Sequence, residues 1–210
     1  ANMAFMACKL AYPTSVTSDA TDVNAETHPS SAHITFQFPA RGDMGPVTFH
    51  WYEGKRNGEK VAPPDDLLAK VLKKGETLSN SGSLLVGEKG ILFSPNDYGA
   101  QFRITPGELV EGVNTTKPEK LPVNGGGDGG MKKEWADAIR AGKPDAAMSN
   151  FDYAANLTET ILLGNIANRL TGQKLEWDGA GLKFTNNPEA TNLVTKEYRK
   201  GWELLGSSKG

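Results

Sequence analysis

The stretch HITFQFPARGDMGPVTFHWYE, His33 to Glu53, decides the fold. In its first six residues His33, Thr35 and Gln37 alternate with Ile34, Phe36 and Phe38, the two-residue period of a strand with one face on a core. PARGDMG carries the Pro and Gly of a loop. The next run places Val47, Phe49 and Trp51 on one face and Thr48, His50 and Tyr52 on the other. That second face is polar yet aromatic, a combination suited to a partner or a ligand.

Working outward, SLLVGEKGILF is two short apolar runs joined by Gly87, Glu88, Lys89 and Gly90, the pattern of a hairpin, and a further strand is expected over 100–104. Pro64, then Asp65 and Asp66, then Leu67, Leu68, Val71 and Leu72, with Gly75 as a stop, predict a short amphipathic helix. MKKEWADAIRAG predicts another, with Met131, Trp135, Ala138 and Ile139 on one apolar stripe and Gly142 at its end.

SNFDYAANLTETILLGNIANRLTGQKLEWD, Ser149 to Asp178, predicts a helix of about twenty residues with Ser149 as its cap and Gly172 in a left-handed terminating position. Phe151, Leu162 and Ile166 lie on one side while Leu157, Leu163 and Ala167 lie around from them, so contact from several directions is expected. Gly164 at mid-helix costs about 1 kcal/mol relative to Ala, a cost offset if another backbone packs close there. KLEWD then turns Leu175 and Trp177 inward as a returning strand. Strands early and helices late predict an α+β fold: a mostly antiparallel open β-sheet with helices packed on one face.

The totals narrow the function. At 210 residues the chain is long enough to bury roughly 70% of the surface its unfolded form exposes. A formal charge of −2, with both signs scattered and neither Lys73-Lys74 nor Lys132-Lys133 extending into a stripe, argues against nucleic acid as a partner. No apolar run approaches the roughly 20 residues needed to cross a bilayer, so no membrane is expected. The single cysteine, Cys8, sits among Phe5, Met6 and Leu10 and is expected to be packed rather than reactive. ANMAFMACKL has no basic leader and no cap ahead of it, which predicts that the natural chain begins earlier; GSSKG at the other end is expected to be a tail.

Candidate chemistry is sparse. GGGDGG, Gly125 to Gly130, contains a literal G-x-G-x-x-G, but TTKPEKLPVN before it is loop-like, so it is expected to be a linker rather than a dinucleotide fingerprint. His28, His33 and His50 are too dispersed to define a metal site, although a sheet would bring His33 and His50 together; no metal is expected. There is no G-x-S-x-G, and Asp65-Asp66 belongs to a helix start. Asn114-Thr115-Thr116 and Asn156-Leu157-Thr158 match the glycosylation triplet, the second inside the long helix.

GSLLVGEKGILFSPNDYGAQF, the Ser149–Asp178 stretch and NPEATNLVTKEYRKGWEL resemble the C-terminal half of Gfo/Idh/MocA oxidoreductases of the planctomycete type, over about residues 2–204. The resemblance implies one substrate and oligomerisation domain over 2–204, followed by a tail at 205–210. In such proteins a separate Rossmann domain binds NAD or NADP, and hydride passes between nicotinamide and a sugar, polyol or related carbon. It implies a homo-oligomer joined through the open sheet face, and partnership with a missing Rossmann domain. The family's catalytic Lys and His motifs would lie ahead of residue 1, so no catalytic residue is carried over. Glu119-Lys120-Leu121 lies too far downstream to inherit the role of the family's Glu-Lys-Pro. No cofactor is expected to bind to these residues alone.

Arg41, His50 and Tyr52 are the candidate substrate-facing groups, through guanidinium, imidazole and hydroxyl hydrogen bonds to sugar oxygens. The rival is a standalone carbohydrate-binding or assembly module without a reaction, and a third reading is a family member that has lost catalysis. Substrate, cofactor preference and compartment stay open.

Overall fold

A computed structural model describes residues 1–97, 99, 101–111 and 127–203. The Glu119-Lys120-Leu121 and Asn114-Thr115-Thr116 segments, Gly125, Ala100 and the 205–210 tail lie outside the described residues. Helices are α1 Asn2–Ala7, α2 Asp65–Leu68, α3 Gly127–Ala141, α4 Phe151–Arg169 and α5 Pro188–Asn192. Strands are β1 Ser15–Thr21, β2 Ser31–Phe38, β3 Val47–Arg56, β4 Glu59–Lys60, β5 Ser83–Val86, β6 Ile91–Ser94, β7 Arg103–Thr105, β8 Leu175–Asp178 and β9 Lys183–Phe184. The fold is mixed α+β with open antiparallel sheets. The residues fall into two compact units, 1–8 with 63–158 and 9–62 with 159–210, and the division lies within α4.

In the second unit six strands run in the order β4-β3-β2-β1-β8-β9, all pairings antiparallel. Register follows the alternation read from the sequence: Ile34 opposes Trp51, Phe36 opposes Phe49 and Phe38 opposes Val47, while His33 opposes Tyr52 and Thr35 opposes His50. Ile34, Phe36, Phe38, Val16, Leu175, Trp177 and Phe184 are buried and form the core. Burial of each large apolar side chain contributes about 1.5–3 kcal/mol. The C-terminal half of α4 packs on this face.

A β-carbon added at Gly164 would stand 3.2 Å from both Ile34 Cδ1 and Phe36 Cζ, so the close approach is to strand side chains rather than to another backbone. The end of α4 is stitched to β1: Ser18 Oγ donates to Asn168 Oδ1 at 2.6 Å, and the Thr171 hydroxyl and the Gly172 amide both donate to Ser18 O. Gly172, at φ +80°, takes the left-handed position expected of it.

Strand β1 is absent from the sequence-based expectation, and the reason is on its core-facing side. Val16 and Ala20 share that side with Ser18, whose hydroxyl is committed to Asn168, so the hydrophobic alternation that marks β2 is broken. Two expectations for α4 are corrected as well. Its first turn is capped by Asn150, whose Oδ1 accepts from the Tyr153 amide, and not by Ser149. Its buried positions, Thr160, Leu163, Gly164, Ala167 and Asn168, form one stripe at helical spacing, while Phe151 and Leu162 are exposed, so it is not enclosed from several directions.

The first unit holds the β5-β6-β7 sheet. The expected hairpin forms, with the Gly87 amide donating to Gly90 O at 2.9 Å. Val71, Ile91 and Phe93 make a small core lined by Leu67, Leu72, Leu78 and Leu84. The helix expected up to Gly75 is one short helix, α2, continued by turn bonds through Leu72. The third strand begins at Arg103 rather than residue 100. The Arg103 guanidinium lies 5.0 Å from the Phe93 ring centre and is 2.9 Å from Glu76, whose carboxyl it holds below the usual range. Phe5 of α1 meets Tyr153 edge to face at 6.0 Å.

Helix α3 overturns two expectations. It starts at Gly127, so Gly127 to Gly130 are helical rather than linker, with Asp128 in the first turn where a negative charge favours the helix N-terminus. Of its expected core stripe only Ala138 is buried, while Met131, Trp135 and Ile139 are 58%, 61% and 61% exposed. Periodicity reports which side chains share a face, not what covers it.

Candidate functional site on the open sheet face

The face of the six-stranded sheet opposite α4 is built from the polar half of each alternation. Asp19 of β1 opposes His33 of β2, which opposes Tyr52 of β3; Thr17, Thr35 and His50 form the next row. All six side chains are exposed or half-exposed. The cross-strand pairing that buries Phe36 against Phe49 therefore gathers imidazoles, a phenol and hydroxyls on the other side.

His33 stacks on Tyr52 with ring centres 4.3 Å apart and planes 12° off parallel. His33 Nε2 lies 3.0 Å from His50 Nδ1, and Thr35 Oγ1 lies 3.2 Å from the same His50 nitrogen. Of the expected substrate-facing trio, the structure brings His50 and Tyr52 within 6.0 Å of each other. Arg41 is placed in the β2–β3 loop, where its guanidinium donates to Gly45 O at 2.7 Å and Pro39 O at 3.3 Å and braces the turn closed by the Arg41–Met44 bridge. The structure adds His33, Thr35, Asp19 and Arg56 to the cluster. His33 and Thr35 carry a usable signal, since they share the polar phase of one alternation; Asp19 carries none, because Ser18 breaks the hydrophobic alternation of β1.

Arg56 lies at this face near the end of β3, two residues beyond Gly54. At Gly54 φ is +76°, and a β-carbon would lie 2.1 Å from Ser30 O, so only Gly fits. Arg56 donates to Asp19 Oδ2 at 2.9 Å and to Asp19 O at 3.2 Å. This pair, with His33, Tyr52, Glu59 and Lys60, lines an open depression of about 410 Å³ at the mouth of the β3–β4 hairpin. Its two cations and two anions balance.

The electrostatics follow from partial burial. Burial lowers the His33 imidazole below its usual range, aided by His50 and Arg56 and opposed by Asp19; burial alone lowers His50. Burial raises the Tyr52 phenol, and the hydrogen bond from Arg56 lowers Asp19. At neutral pH both imidazoles are uncharged, each with one donor and one acceptor nitrogen, and Tyr52 keeps its proton. Such a set suits hydroxyl groups, which also donate and accept.

Every strand pairing among the described residues is antiparallel, so the parallel βαβ unit that cradles a pyrophosphate does not form, and Gly127, Gly129 and Gly130 lie inside α3. Among the described residues no group of three or more His, Cys, Asp or Glu is arranged to hold a metal ion.

The class this fold and face define is an α+β protein whose main sheet is backed by a helix on one side and presents an imidazole, phenol and hydroxyl surface on the other. No family model and no curated protein matches the chain. No described helix is long and apolar enough to cross a membrane.

Proposed function

We propose that the chain is the substrate-binding and subunit-joining part of an NAD(P)-dependent oxidoreductase of the Gfo/Idh/MocA type, acting on a sugar, polyol or related compound. The observation that carries this reading is the open sheet face, on which neutral His33 and His50, protonated Tyr52 and the Asp19–Arg56 pair offer alternating donors and acceptors to a polyhydroxylated molecule. Tyr52 and His50 contact substrate; Arg41 supports them by holding the turn between their strands. The long helix, the hairpin at Gly87–Gly90 and the returning Leu175–Asp178 strand, whose sequences carry the resemblance, supply the scaffold.

Hydride transfer in this reading requires a Rossmann domain, because the antiparallel strands offer no cradle for a pyrophosphate. Fluorescence titration of these 210 residues with NADH tests the division of labour. The expected result is no saturable binding, and tight specific binding would contradict it. Titration with a polyol such as mannitol, followed by NMR, is expected to move the His50 and Tyr52 resonances before any others.

A further inference from the structure

We propose that His33 and His50 form a proton-operated latch on the open face, closed while the two rings share one hydrogen and opened in mild acid by a second proton. The geometry is specific. His33 Nε2 and His50 Nδ1 are 3.0 Å apart across neighbouring strands, a distance that holds one hydrogen and no more. In the uncharged pair one nitrogen donates and the other accepts, and the Thr35 hydroxyl, 3.2 Å from His50 Nδ1, turns to suit either arrangement.

A first proton enters at an outer ring nitrogen and leaves the shared contact intact, now strengthened by charge. A second proton has only an inner nitrogen to occupy, so N–H faces N–H between two cations and the rings must part. Both rings are partly desolvated, which makes the second charge costlier still.

The surroundings fix the direction of the response. On β1, Asp19 faces His33, but its carboxylate is committed to Arg56 of β3. Tyr52 of β3 stacks on His33 and carries no charge at these pH values. From β4, Glu59 and Lys60 bring one charge of each sign beside Arg56. Glu176 of β8 enters the face beside Ser15, one row from His50 and two from His33 counted through Thr17, and is paired with Lys174 at 3.4 Å. With these groups in balance, two imidazolium charges leave the cluster net positive. For assembly the consequence rests on the proposed use of this face: two like-charged surfaces cease to associate in mild acid.

NMR titration of the imidazole carbon-bound protons of the intact chain, from about pH 8 to about pH 4.5, reads the latch directly. The expected result is biphasic curves for His33 and His50, with midpoints on the order of one to two pH units apart and each ring sensing both steps. His33→Phe, which keeps a ring on Tyr52, is expected to give His50 a single step lying between the two steps of the unaltered pair. Two independent single-step curves with a common midpoint in the unaltered chain would overturn the latch, whether or not the variant folds. Sedimentation at neutral and mildly acidic pH is a separate arm, in which absence of association at neutral pH counts against the assembly reading and not against the latch.

Discussion

At Ser18 one hydroxyl links strand, helix and fold. It is 3% exposed, donates to the equally buried Asn168 Oδ1 at 2.6 Å, and sits where β1 would otherwise carry an apolar side chain. Ser18→Ala strands the Asn168 carbonyl and is expected to cost about 1–3 kcal/mol in urea unfolding. The double variant Ser18→Ala with Asn168→Leu is expected to recover part of that, since an unpaired buried acceptor costs more than the bond contributes. The same hydroxyl is why the central strand was illegible in the sequence: a buried polar pair joining residues 18 and 168 looks, along the chain, like a polar loop. By contrast His33, Thr35, His50 and Tyr52 were legible as members of two polar faces, and only the register that places His33 diagonally against His50 required the structure.

At the scale of elements, those whose partners are local in sequence were legible. The β5–β6 hairpin carries its turn within itself, and β2 and β3 are joined by one short loop, so alternation alone fixed them. Elements whose role depends on distant residues were not. Helix α3 is the clearest case: its stripe of Met131, Trp135 and Ile139 reads as core by spacing yet lies exposed. Replacing Trp135 and Ile139 together with Glu is therefore expected to shift thermal unfolding by no more than about 0.5 kcal/mol, as for surface positions in general. A loss of several kcal/mol would restore the original expectation that this stripe is core.

For the whole molecule, stability should depend on pH through the histidine pair. The unfolded imidazoles take up protons around pH 6.5, and the folded His33 and His50 do so only at lower pH. Between those values the unfolded chain binds more protons, so the contribution is complete above about pH 6.5 and is lost as pH falls toward the folded values. Asp19, Glu76 and Asp137, each lowered by a cationic partner, add a second decline below about pH 4. Urea midpoints across this range are expected to show two falls, the first absent in a His33→Phe, His50→Phe double variant. Both declines arise from groups outside the apolar core, which leaves the sheet to hold the fold while its polar face responds to acid.

The central claim is the subunit-joining part of the proposal, that copies of the chain associate through this polar face. Sedimentation velocity at neutral pH on the chain and on Thr17→Lys, which sets a charge beside Thr35 in the middle of the face, tests it most directly. The account predicts concentration-dependent association that the lysine abolishes while the unfolding midpoint is retained. A chain that stays monomeric at every concentration, or associates equally well with Lys at position 17, would contradict it.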